Sequence, residues 1–133
     1  MRIRNSFIPV EGVGATTERR MWENGIREWG EFRQDRAPGV GATTASRIES
    51  FIDEATERLD DRDAPFFDRA FPSDERWRLY EDFRDGACFF DIETTGLSHD
   101  RDRVTTVSFH RDGETTTLVQ GRDLSTEALR EQF

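Results

Sequence analysis

Phe89-Phe90-Asp91-Ile92-Glu93-Thr94-Thr95-Gly96-Leu97 is the stretch on which the fold of this chain turns. An apolar run from Ala87 to Phe90 leads into two carboxylates spaced i, i+2, and then into a Thr-Thr-Gly turn. Successive side chains of a strand point to opposite faces, so Asp91 and Glu93 emerge on one face, about 6 to 7 Å apart along the chain. Two hard oxygen donors on a rigid strand beside a turn suit Mg2+ or Mn2+ better than zinc. Such an ion can hold a phosphodiester between itself and a partner ion. Asp-x-Glu by itself is also common in solvated strand ends, where it carries no chemistry.

Downstream of the motif, residues 98–102 are polar and turn-like, and Arg103 to His110 reads as a second strand rich in Val and Thr. Asp112-Gly113 is a hairpin signal, Thr115 to Val119 a third strand, and Leu124 to Phe133 a helix capped by Ser125 or Asp123. His99 and His110 fall in no motif that assigns them, and read as a solvated loop residue and a strand-end residue. Upstream, the nearly all-charged Asp60-Asp61-Arg62-Asp63 followed by Ala64-Pro65 reads as a linker. An aromatic-rich connector follows (Phe66, Phe67, Phe71, Trp77, Tyr80, Phe83), with a helix expected from Ser73 to about Phe83. Its aromatics could stack on bases, but packing modules together is their commoner task.

The first third of the chain contains a repeat. Gly12-Val13-Gly14-Ala15-Thr16-Thr17 recurs unchanged as Gly39-Val40-Gly41-Ala42-Thr43-Thr44. After each copy the apolar residues take helical spacing: Met21, Trp22, Ile26, Trp29 and Phe32 in the first unit, then Ile48, Phe51, Ile52, Ala55 and Leu59 in the second. Gly25 is placed to end one helix, with a short one resuming by Trp29. Gly-x-Gly before a helix leaves bare backbone N–H groups at the positive end of the helix dipole, a ready anion site. Two such sites could hold one nucleic-acid backbone at neighbouring phosphates without reading bases. The alternative is that both are simply tight turns between packed helices. A dinucleotide fingerprint is disfavoured, since the third glycine of Gly-x-Gly-x-x-Gly is missing and no clear strand precedes either copy.

Composition narrows the classes. The chain has 133 residues, 34% hydrophobic and 35% charged, with a net charge of -9. That suffices for one domain or two very small ones. No apolar run is long enough to cross a bilayer, and the start does not read as a signal peptide, so no membrane role is expected. The single cysteine, Cys88, reads as a small buried thiol within the first strand, in keeping with a reducing cytoplasm, and no zinc-spaced Cys/His cluster exists. All 19 basic residues are arginine. Residues 1–47 carry 8 of these against 6 acids, and residues 48–133 carry 11 against 22. An anionic partner is therefore expected to meet the N-terminal third. The acidic excess without lysine resembles the composition of proteins from salt-loving archaea. In concentrated salt the counterion-release term is small, and an acidic surface loses little in binding nucleic acid.

The whole phrase Asp91-Ile92-Glu93-Thr94-Thr95-Gly96-Leu97 resembles the first motif of the ribonuclease H-like 3'-5' exonucleases, the superfamily of proofreading exonucleases and ribonuclease T. That resemblance implies Asp91 and Glu93 as catalytic metal ligands for two Mg2+ or Mn2+ ions, and Thr94, Thr95, Gly96 and Leu97 as the seat of the terminal nucleotide. The repeated hairpins look like a tandem helix-hairpin-helix domain, which implies phosphate contacts at Gly12, Val13, Gly14, Gly39, Val40 and Gly41. Little precedes the first copy to form its leading helix, which weakens its contact. Across the whole chain, with Trp77-Arg78-Leu79-Tyr80 leading into the Asp-x-Glu strand, the closest resemblance is to the YprB-like group of ribonuclease H-like exonucleases.

The expected fold is therefore α+β. An all-α tandem helix-hairpin-helix region occupies residues 1–62, a connector helix 63–85, and the first half of a ribonuclease H-like α/β domain 86–133. That half comprises three antiparallel strands and a helix. The family's further aspartates and its water-orienting His or Tyr are not found, so the sequence reads as an N-terminal piece of a longer nuclease, or as one completed by a partner chain or a second copy. Three functions follow: a nuclease acting on DNA or RNA, a non-catalytic nucleic-acid-binding module using the hairpins, and an assembly fragment that docks on a separate nuclease subunit.

Overall fold

A computed structural model describes residues 1–98 and 100–132. Two compact units emerge, Met1–Arg84 and Asp85–Phe133. Both helix and antiparallel sheet are present, as an α+β reading requires.

In the first unit each glycine hexapeptide runs straight into a helix, α1 (Ala15–Glu23) and α2 (Ala42–Asp60). Gly12 and Gly39 sit at φ +93° and +76°, a left-handed conformation in which a side chain is strained. Gly14 and Gly41 are extended and occupy the N-cap positions, where neither can offer a side-chain acceptor. Ala45, Ile48 and Ala55 of α2 are buried, and Phe51, Ile52 and Leu59 pack beside them, the face anticipated from their spacing. Gly25, at φ +84°, follows the end of α1. The short helix expected to resume by Trp29 is instead a pair of 3-10 turns, Trp29–Glu31 and Gln34–Arg36.

The charged stretch 60–63 is a corner rather than a linker. Arg62 turns the chain at φ 56°, the Asp63 carboxylate accepts from Phe66 N at 3.0 Å, and α3 (Ala64–Ala70) starts with Pro65 in its first turn. The helix expected from Ser73 to Phe83 is also different: a 3-10 segment (Ser73–Leu79) precedes one α-helical turn, α4 (Tyr80–Phe83). Three residues per turn align positions i and i+3, and this sets Glu75 beside Arg78, Oε2 to Nε 2.7 Å. Phe67 and Phe71 are buried in the same core as Ile3, Phe7, Met21 and Trp29, whereas Trp77 and Tyr80 are exposed. Packing is thus the role of the former pair.

That core encloses an ion cluster. Arg78 Nη1 lies 2.7 Å from Glu18 Oε2 and 2.8 Å from Ser6 Oγ, and the Glu18 side chain is 1% exposed. Glu18 Oε1 accepts from Ser6 Oγ, Phe7 N and Ile8 N at 2.8, 2.8 and 3.2 Å. Every polar atom of the cluster is satisfied, which a buried charge requires.

The second unit is a sheet of order β1-β2-β3, from β1 (Phe89–Thr94), β2 (Val104–Arg111) and β3 (Glu114–Val119), all antiparallel. Asp112 and Gly113, at φ 53° and 81°, form the two-residue turn whose twist matches the strands it joins. α5 (Thr126–Glu131) follows, with Ser125 Oγ accepting from Ala128 N at 3.1 Å. It starts two residues later than the expected Leu124, since Ser125 rather than Asp123 is the cap, while Asp123 Oδ1 accepts from Val119 N in the preceding turn; Phe133 lies outside the described residues. β1 starts at Phe89 rather than Ala87, so Cys88 precedes the strand and is half-buried. Val107, Phe109 and Leu118 form a small core capped by Leu124, Ala128 and Leu129. Beside it, Phe90, Ile92 and Val104 stay exposed along an apolar hollow of about 260 Å³. Among the described residues no helix is long and apolar enough to cross a membrane.

Candidate metal and nucleotide site

Register determines which side chains share a face. Phe90 pairs with Phe109 and Ile92 with Val107 on the side of the small core, their alternates with each other on the opposite side. That opposite face carries Asp91 against Ser108 and Glu93 against Thr106. Two side-chain bonds mark it as polar: Ser108 Oγ to Thr117 Oγ1 at 3.0 Å, and His110 Nδ1 to Thr115 Oγ1 at 2.9 Å. Asp91 and Glu93 thus emerge together on an exposed polar surface, in the arrangement their spacing predicts. Among the described residues neither forms an ion pair with an arginine. Two like charges one pleat apart repel, and a bound cation would relieve that repulsion.

The donor set fits a hard divalent cation as a half-site. Magnesium is commonly held through one or two carboxylates, with water and substrate phosphates completing its shell. Among the described residues no group of three or more His, Cys, Asp or Glu side chains gathers about one point. His110 shares the polar face without forming such a group, and His99 lies outside the described residues.

After Glu93 the pairing with β2 shifts, and Thr94 meets Val104 across a bulge. Bulges bend a strand and re-aim the chain that follows. Here the chain enters the turn Thr94–Leu97, where Thr94 Oγ1 donates to Gly96 O at 2.7 Å. Thr95 pairs through its backbone N with Arg103 O at 3.0 Å. Leu97 is fully exposed. Against this turn opens a hollow of about 350 Å³, lined by Thr94, Gly96, Leu97 and Ser98 on one side and Asp102, Arg103 and Val104 on the other. Three of the four turn residues of the motif, Thr94, Gly96 and Leu97, are therefore gathered at a concave surface that begins one residue after Glu93. Sequence reasoning missed Asp102, which occupies that surface. Its only signal was an acid at the end of a polar loop.

In the first unit the two hexapeptides lie near one another: a Cβ added to Gly12 would stand 3.2 Å from Thr44 Oγ1. Glu11, just ahead of the first turn, pairs with Arg47 of α2 at 3.4 Å. A Cβ at Gly39 would stand 3.8 Å from Arg20 Nη1 of α1. Val13 is buried and Val40 partly so, while Gly14 and Gly41 have open space where a Cβ would be.

Comparison with known proteins agrees with the sheet unit. Residues 88–133 match the family model described as RNase_H superfamily. The matched segment contains Asp91, Glu93 and the whole of the turn, and none of residues 1–87. No match was found among curated proteins or among solved structures.

Proposed function

We propose that this chain carries the entry half of a metal-dependent 3'-5' exonuclease site acting on DNA or RNA phosphodiesters. The observation that supports it is the shared exposed face of Asp91 and Glu93, leading through a bulge into a turn with a hollow against it. Asp91 and Glu93 are the residues that would hold Mg2+ or Mn2+, which would supply neutralisation of phosphate charge and a lowered pKa for water there. Thr94 to Leu97 seat the terminal nucleotide, with Leu97 offering its exposed side chain to the base. The remaining ligands come from phosphate oxygens, water, and protein groups beyond the two carboxylates.

A second reading is favoured by a separate observation. Both helices of the repeat begin at uncapped glycines, so their first N–H groups face no side-chain acceptor of the cap residue. In that reading the first unit binds the nucleic-acid backbone at Gly12 to Gly14 and Gly39 to Gly41, and the carboxylates are inert.

Digestion of a 3'-labelled single strand with manganese in molar potassium chloride, beside a gel shift on the same samples, tests both. Stepwise shortening that Asp91→Asn abolishes supports the nuclease. Binding without shortening, unchanged by Asp91→Asn but weakened at Gly14 and Gly41, supports the binding module.

A further inference from the structure

Asp102 lies outside the Asp-x-Glu pair, yet it braces the turn that follows it. Its Oδ2 accepts from Ser98 N at 2.6 Å, and its Oδ1 accepts from Thr95 Oγ1 at 2.9 Å. Thr95 Oγ1 accepts in turn from Arg103 N at 3.1 Å, so the carboxylate joins a hydrogen-bond chain that runs from Ser98 through Thr95 to the residue ahead of β2. Gly96 fits between them only because it lacks a side chain. A Cβ there would stand 2.7 Å from Asp102 Oδ2 and 2.9 Å from Oδ1. Gly96 is not among the glycines at positive φ, so the position demands room rather than an unusual backbone angle. Both carboxylate oxygens are used at once, one by an N–H and one by an O–H. An amide would keep a single acceptor.

We propose that Asp102 is a positioning residue of the nucleotide seat: it holds Gly96 and Leu97 in the open form that receives a 3'-terminal nucleotide. The proposal rests on reading Thr94 to Leu97 as that seat. Asp102 acts through the turn. Its bonds to Thr95 and Ser98 hold the two ends of the segment that displays Gly96 O and the Leu97 side chain to the hollow. Without them Thr95 keeps its bonds to Arg103 and Ser98 O keeps the amides of Arg101 and Asp102, but among the described residues the Ser98 amide and the Thr95 hydroxyl proton lose the acceptor that draws both ends of the turn to one point.

The test is a titration of the whole chain with adenosine 5'-monophosphate in magnesium, followed at the Gly96 and Leu97 amides, with Mn2+ binding measured separately by relaxation. Asp102→Ala is expected to weaken nucleotide binding about tenfold, the loss of a charge-assisted hydrogen bond. Asp102→Asn, with one acceptor kept, is expected to weaken it about threefold. Mn2+ affinity at Asp91 and Glu93 is expected to stay at the parent value in both, which a general loss of the sheet would not allow. Nucleotide binding at parent strength in folded Asp102→Ala overturns the proposal, as does a parallel fall in Mn2+ affinity. Should Asp102→Ala fail to fold, Asp102→Asn binding at parent strength overturns it. A parent chain that binds no nucleotide removes the seat and Asp102 with it, an outcome visible before any variant is made.

Discussion

The two units solve the burial problem to different degrees. Residues 1–84 close fourteen apolar side chains into one core around a satisfied ion cluster, while among the described residues of 85–133 the core has three. In the second unit one strand, β1, is exposed along its whole length and carries both carboxylates and three large apolar residues, Phe89, Phe90 and Ile92. A unit that spends its polar groups inward is built for rigidity. One that leaves a polar face and an apolar face both open is built around what it will hold.

The largest expected effect falls on the exposed carboxylates. Asp91→Asn should weaken Mn2+ binding by about a hundredfold or more, since even outer partners of a metal site are worth 10 to 100-fold. Relaxation titration measures it, and parent-like binding would break the assignment of chemistry to the sheet. Next is the ion cluster of the first unit: Glu18→Ala should cost about 3–5 kcal/mol by stranding Arg78 without its partner. All three tryptophans lie in the first unit, so urea unfolding followed by tryptophan fluorescence reads this loss without interference from the sheet. The double replacement Glu18→Leu, Arg78→Met should recover much of it, because a packed apolar pair avoids the desolvation cost.

Smaller effects sharpen the comparison within the sheet. Gly113→Ala should cost about 1 kcal/mol, as φ 81° strains any side chain, and faster amide exchange in β2 and β3 would report it. Ile92→Ser should change stability by no more than about 0.5 kcal/mol, because the side chain is 46% exposed, while reducing self-association in light scattering. A large loss from Ile92→Ser would mean that the apolar face is already covered.

Much of this was legible from local pattern. The period of Ile48, Phe51, Ile52, Ala55 and Leu59 gave α2, Asp112-Gly113 gave the hairpin, and the i, i+2 spacing put Asp91 and Glu93 on one face. What failed to read was set by partners far off in sequence. The 3-10 form of residues 73–79 accompanies an Arg78 that reaches Glu18, 60 positions earlier, a demand no window around Trp77 contains. α3 was hidden because Asp60 to Asp63 looks like solvated linker, whereas Arg62 and Asp63 are a turn and a cap. Asp102 was hidden for a third reason. Its importance comes from the absence of an atom, the Cβ of Gly96.

The N-terminal unit is sealed by its own last residues. Ile3 N donates to Asp82 at 2.7 Å, 79 positions away, and Glu18 acquires its counter-charge from Arg78. A chain leaving the ribosome from its N-terminus thus carries Ser6, Phe7 and Glu18 unsealed until residue 82 clears the exit tunnel. These residues close late, when the tunnel already holds the chain that follows residue 82, β1 included. The carboxylate strand therefore emerges only after the first unit has every residue it needs to lock.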